Sequence, residues 1–270
     1  MAPPPAHRAP LEPASALLTD RVAIVTGAAV GIGRAVALAL ARFGAHLALC
    51  DRDAGTLDDL AKEIEGLGLG RRVVTGVLDV RDQAQVAAFL GTVGDQLDHV
   101  DVLVNNAGGG FYANFLDVNE KGQDSLVREN FTSVTSFVRG VVPLMPPPPT
   151  GGSIVTITSI EAHRGAPGYG VYSAMKAAVA SLTKTLALEL GDRMIRVNCI
   201  APDVIPTPGI GEVEVRTPLP RAGHVDDVAA AAIYLAGDLS GFVTGTTLHV
   251  DGGNLAAGGW HRLDDGTFAT

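Results

Sequence analysis

Along most of the chain, short aliphatic and β-branched runs alternate with longer stretches in which Ala, Leu and Val recur at helical spacing. Residues 21–27 (RVAIVTG) form a first predicted strand, followed by a helix over 31–44 that closes at Gly44. The alternation continues with a strand at 46–51, a helix at 57–68, a strand at 71–80 and a helix at 83–97. A fourth strand is expected at 100–108, then a helix that includes 126–142, and a fifth strand at 151–159. A helix over 172–190, a strand at 195–202, a helix at 225–235 and a last strand at 245–253 complete the pattern. Apolar runs that are not themselves amphipathic suit strands buried on both faces. The expected fold is therefore α/β: a single Rossmann-type doubly wound domain, about seven parallel strands with helices on both faces.

The ends differ. Residues 1–14 (MAPPPAHRAPLEPA) are rich in Pro and Ala, which favours an unstructured tail. The expected division is a disordered tail over 1–18, one domain over 19–254 and a C-terminal tail over 255–270. The proline run 146–149 falls between a helix and a strand, where a surface turn costs least.

Composition narrows the function classes. Of 270 residues, 47% are hydrophobic and 18% charged, enough for one core without a staple. The formal charge of −9 repels phosphate backbones and disfavours nucleic acid as a partner. Cys50 and Cys199 sit in apolar runs with no CxxC and no metal-ligand spacing, so they are expected to be buried thiols and no metal is expected. The tail lacks the apolar stretch of a signal peptide, and Gly, Asp and Arg interrupt the longer apolar runs, so no membrane span and a cytoplasmic location are expected.

The first strand-to-helix turn reads Thr26-Gly27-Ala28-Ala29-Val30-Gly31-Ile32-Gly33. Glycines let the backbone turn sharply and let a pyrophosphate approach the amides at a helix N-terminus. Asp51 ends the second predicted strand, 18 residues beyond Gly33, where a carboxylate meets adenosine ribose hydroxyls. A carboxylate there repels a 2′-phosphate and favours NAD, while the adjacent Arg52 is the counter-signal for NADP. Tyr172 and Lys176, four apart on a predicted helix, share one face. An ammonium beside a phenol lowers its pKa from about 10, giving an acid/base for a carbonyl/alcohol pair. Ser159 lies at the C-terminal end of the fifth strand, positioned to hydrogen-bond the substrate oxygen.

These motifs together resemble the short-chain dehydrogenase/reductase family. Thr26 to Gly33 matches its TGxxxGxG, Asn105-Asn106-Ala107-Gly108 its NNAG and Tyr172 to Lys176 its YxxxK, with Ser159 13 residues before the tyrosine. The resemblance runs from about Asp20 to Gly253. It implies a catalytic set of Asn130, Ser159, Tyr172 and Lys176, the asparagine supporting a water that relays protons through the lysine. It also implies a cofactor site of Gly27, Val30, Gly31, Ile32, Gly33, Asp51, Arg52, Asp79, Val80, Asn106, Ala107, Gly108, Tyr172, Lys176, Pro202, Ile205 and Thr207. Asp79 matches the acid that meets the adenine amino group, and Asn105 a residue that supports the central sheet. Relatives are commonly tetramers, so a homo-oligomer, tetramer or dimer, is expected.

The chain departs from the family pattern at Asp203, where relatives carry glycine after Pro202, so either the turn differs or the acid faces the substrate. Only 13 residues separate Thr207 from Arg221, a short lid that suits a bulky, apolar substrate of steroid, terpenoid or hydroxyacyl type. Trp260, in the C-terminal tail, is a candidate cap for the site or a contact for a neighbouring subunit. The expected activity is NAD(H)-dependent oxidoreduction of a secondary alcohol/ketone pair. Its rivals are an NADP-dependent 3-oxoacyl-type reductase and a non-catalytic NAD-binding sensor or scaffold.

Overall fold

A computed structural model describes residues 10–208, 210, 215, 217–263 and 266–269. Seven parallel strands form one sheet, interleaved with helices in chain order: β1 (Val22–Thr26), α1 (Gly31–Arg42), β2 (His46–Asp51), α2 (Ala54–Gly66), β3 (Val73–Val77), α3 (Gln83–Leu97) and β4 (Val102–Asn105). Then follow α4 (Glu120–Val127), α5 (Ser133–Val141), β5 (Gly152–Ile157), α6 (Gly170–Glu189), β6 (Ile195–Pro202), α7 (Val225–Ala236), β7 (Thr247–Val250) and α8 (Asn254–Ala257). A two-residue hairpin, β8 (His261–Arg262) with β9 (Phe268–Ala269), lies beyond.

The sheet order is β3-β2-β1-β4-β5-β6-β7. The chain starts in the middle, winds outward to β3, then crosses back to β4 beside β1. That reversal opens a crevice at the carboxyl ends of β1 and β4, where ligands bind in such sheets. Both faces are dry. Leu40 of α1, Leu60 of α2 and Ala232 of α7 cover one face; Val93 of α3, Phe137 of α5 and Val179 of α6 cover the other. All five residues of β1 are buried, and each large aliphatic side chain so placed contributes about 1.5–3 kcal/mol. Asp53, Asp82 and Asn119 accept backbone N–H bonds at the starts of α2, α3 and α4. The start of α1 has no side-chain cap.

Two expectations are corrected. The single helix expected across 126–142 is two, α4 and α5, joined by a π-helical turn over Arg128–Thr132. The packed domain also begins before residue 19. Residues 1–9 lie outside the described residues, but Pro13–Ala16 forms a 3-10 turn. Leu18 is fully buried, and its amide donates to the Phe43 carbonyl.

Candidate active site

A cleft of about 730 Å³ opens at the carboxyl ends of the central strands. Its floor begins at the turn after β1. Gly27 and Gly31 have φ of 61° and 58°, the left-handed region that costs most residues strain. A Cβ on Gly27 would come within 2.9 Å of the Ala107 backbone, and one on Gly33 would run into the Gly27 carbonyl. The turn can therefore close only without side chains at these positions. Val30, Gly31 and Ile32 line the cleft; Gly33 is buried behind it, in the first turn of α1. The uncapped α1 amides face this turn, a partial positive charge suited to an anion.

Asp51, Arg52, Asp79 and Val80 line the far end of the same cleft. The Asp51 carboxylate accepts from the amides of Ala29 (3.0 Å) and Asp53 (3.1 Å), so it also braces the glycine turn. Asp79 is held by Arg81 through a forked pair, with Nη2 to Oδ2 at 2.6 Å, and Arg81 reaches on to Ser125. This guanidinium keeps the Asp79 carboxyl below its usual range, and the charge of Arg52 adds to the effect. Arg34, the cation one residue beyond Gly33, is paired with Glu63.

Between β1 and β4 the crevice is stapled. The Thr26 hydroxyl accepts from the amides of Asn106 and Ala107, both at 3.0 Å, and the Asn106 side chain donates to the Thr26 and Gly27 carbonyls. Asn105 is buried and donates to Thr156 across the sheet. Asn130, in the π turn, is buried: its amide donates to the Gly109 and Leu126 carbonyls and its oxygen accepts from the Gly109 amide. Such π turns concentrate at functional sites. A Cβ on Gly108 would meet Asn130 Oδ1 at 2.8 Å and Lys176 Nζ at 3.1 Å, so this glycine lets asparagine and lysine converge behind the cleft wall.

Ser159, Tyr172 and Lys176 come together at the centre. Ser159 ends the segment after β5, and its hydroxyl accepts from the Glu161 amide at 3.2 Å. Lys176 is buried, with its ammonium 5.6 Å from the centre of the Tyr172 ring and donating to the Ile157 carbonyl at 3.0 Å. Burial pushes the lysine down to about 8. The phenol departs from the sequence expectation. Burial raises its pKa, the hydrogen bond with Ser159 opposes this, and the nearby Glu161 charge adds to the rise. Desolvation thus outweighs the hydrogen bond to Ser159 in this arrangement.

Pro202, Ile205 and Thr207 line the same cleft. The described non-glycine residues with positive φ are Asp20, Asp98 and Met194, so Asp203 needs no left-handed backbone in place of the family's glycine. Its side chain lies on the cleft wall, accepting from Asn254 at 2.6 Å and standing 3.7 Å from Arg164. Of the 13-residue segment expected to form a short lid, residues 209, 211–214 and 216 lie outside the described residues. Trp260 is half exposed and does not line the cleft.

Residues 27–254 match the family model described as enoyl-(acyl carrier protein) reductase. The chain is 38% identical to the 3-oxoacyl-[acyl-carrier-protein] reductase FabG of Thermotoga maritima, over 87% of this chain and 98% of the relative. It is 35% identical to the L-xylulose reductase of Bos taurus, over 88% and 98% of the two chains. The chain belongs to the short-chain dehydrogenase/reductase family. Its fold superimposes on a 7α-hydroxysteroid dehydrogenase complexed with NADH and 7-oxo glycochenodeoxycholic acid. The TM-score is 0.85 and the identity 32%, over 90% of this chain and 97% of that one.

As a short-chain dehydrogenase/reductase the protein is an oxidoreductase. Sequence reasoning missed several cleft residues. Gly109, Gly110, Glu129 and Glu161 carry no motif signal on their own, although Glu161 stands two residues after Ser159. A Cβ on Gly110 would press on the Tyr172 ring at 3.0 Å, which explains a glycine there.

Proposed function

We propose that this protein transfers hydride between NAD(H) and a secondary alcohol/ketone pair, with Tyr172 as the group that moves the hydroxyl proton. The observation that carries this is the meeting of Tyr172, Ser159 and Lys176 in the same cleft as the glycine turn and Asp51. The residues fit a dinucleotide. The uncapped α1 start and the side-chain-free turn suit a pyrophosphate, Asp51 suits ribose hydroxyls, and Ile205 and Thr207 suit the nicotinamide end. The bound nicotinamide supplies the hydride acceptor or donor; the chain supplies orientation and proton handling.

In oxidation, the hydride released from the carbinol carbon would be taken up by a bound nicotinamide, while the alcohol O–H proton passes to the Tyr172 phenolate oxygen. The products are a ketone, NADH and a proton. Ser159 orients the substrate oxygen, and the Lys176 ammonium favours the phenolate once the site is filled. Asn130 holds the loop after β4 against the lysine, and a proton path through Lys176 is part of this reading.

A second reading is NADP(H) use, because Arg52 lines the cleft beside Asp51. Assembly as a tetramer or dimer and a cytoplasmic location also belong to the proposal. Leu188 on α6 and Phe242 after α7 stand exposed, as contact residues would in an isolated chain. Among the described residues, no helix is long and apolar enough to cross a membrane. The test is NADH formation by the purified protein with steroid, terpenoid, hydroxyacyl and sugar alcohols, NADP run in parallel. Turnover with NAD supports the proposal. Tight NAD binding with no turnover of any alcohol or ketone contradicts it.

A further inference from the structure

Beyond Ser159 the cleft wall carries charge that the hydride-transfer chemistry does not require. Glu161 lines the cleft, and its carboxylate is held by Arg164, with Nη2 to Oε1 at 2.7 Å. The same guanidinium stands 3.7 Å from Asp203, whose other oxygen is bound by Asn254 at 2.6 Å. This strut ties together the segments that follow β5, β6 and β7. Glu161 and Asp203 thus share one guanidinium, and this strut keeps a net negative charge; the charge of Asp251 is also felt at Arg164. The other central cation, Lys176, is turned to the Ile157 carbonyl beneath Tyr172. The same cleft has an aromatic surface: Tyr169 lines it, with its ring 6.2 Å from that of Tyr172.

We infer that the substrate is a neutral ring compound carrying a second hydroxyl beside the reacting carbinol, with Glu161 as the residue that selects it. This rests on the hydride-transfer reading above and names its substrate class. A carboxylate lining the same cleft as Tyr172 accepts a hydrogen bond from a neighbouring hydroxyl and repels a carboxylate or phosphate in the same place. Arg164 holds the acceptor in one position, so little ordering remains to be done on binding. Tyr169 offers the ring's C–H face an apolar surface while the hydroxyl edge meets Glu161.

The experiment compares cis-1,2-cyclohexanediol, cyclohexanol and 2-hydroxycyclohexanecarboxylate as substrates for the full chain with NAD and, separately, NADP. A hydrogen bond to a charged acceptor predicts a kcat/KM for the diol about tenfold or more above cyclohexanol, with the carboxylate slowest. In Glu161→Gln the diol advantage shrinks to less than about threefold and the carboxylate gains on cyclohexanol. Glu161→Asp, which keeps the charge, keeps the carboxylate slowest. Equal use of diol and cyclohexanol, or a ratio unchanged in Glu161→Gln, overturns the inference and leaves hydride transfer standing. Turnover of none of the three, with another secondary alcohol oxidised, also overturns the inference alone; turnover of no secondary alcohol with either cofactor overturns both.

Discussion

The Lys176 ammonium lies 5.6 Å from the centre of the Tyr172 ring, yet it spends its hydrogen bond on the Ile157 carbonyl rather than on the phenol. The two groups are therefore poised against each other. Burial pushes the lysine toward its neutral form and the phenol toward its protonated form. Each destabilises the charge that the proposed reaction needs, and a filled site must restore it.

The pH dependence follows from these directions. The raised phenol stays protonated through the neutral range, so it is ready to donate in ketone reduction and unready to accept in alcohol oxidation. The oxidative kcat/KM is expected to keep rising with pH above the neutral range, while the reductive value holds steady through that range and falls only under alkaline conditions. A pH–rate series in both directions checks this. An oxidative profile already level by about pH 7 would contradict it.

Lys176 also bears on stability. Its folded-state pKa, about 8, lies below the ordinary 10.5, so the unfolded chain binds more protons between those values and stability rises with pH across that window. Below about 8 both states carry the charge and the folded state bears the whole cost of burying it. Lys176→Met is expected to abolish turnover while raising Tm at pH 7 by roughly 2–4 °C, after allowing for the Ile157 carbonyl left unpaired. Thermal denaturation at pH 7 decides this, and a lower Tm would contradict it.

Asp51 joins two tasks, since it braces Ala29 and also ends β2 at the cleft. Asp51→Asn removes the negative charge and keeps an acceptor for one of the two bracing amides, Ala29 or Asp53, which bond to different carboxylate oxygens. The expected result is a fall of about tenfold or more in the ratio of NAD to NADP kcat/KM, with Tm lowered by the loss of one bracing bond. Steady-state kinetics with both cofactors measures the ratio. No change would mean that Asp51 acts only within the turn.

Much of this was legible in the sequence where local pattern and burial agree. The bounds of β2, α3 and β6 coincide with those expected, because each is a continuous apolar or amphipathic run with a sharp polar end. The meeting of Tyr172 and Lys176 followed from helical spacing alone. The π turn at Arg128–Thr132 was invisible, since its residues suit an ordinary helix and the bond from Asn130 to Gly109 forms only in the fold. Leu18 looked like part of a Pro-rich tail because nothing local announces that Phe43 and Gly44 receive it. The Glu161–Arg164–Asp203 strut joins three loops whose approach depends on the sheet order. The raised phenol was missed for a related reason: spacing shows that the lysine is near, but burial decides which charge is tolerated.

The most direct test of the account is Tyr172→Phe, measured for NAD binding and for NADH formation with a secondary alcohol that the unaltered protein oxidises. Removing one oxygen leaves the glycine turn, Asp51 and the ring itself in place. NAD affinity is therefore expected to stay within about threefold, while kcat falls by at least about a hundredfold, the scale of a lost general acid/base. A variant that keeps most of its kcat would show that Tyr172 does not move the proton, and the proposed mechanism would fail with it.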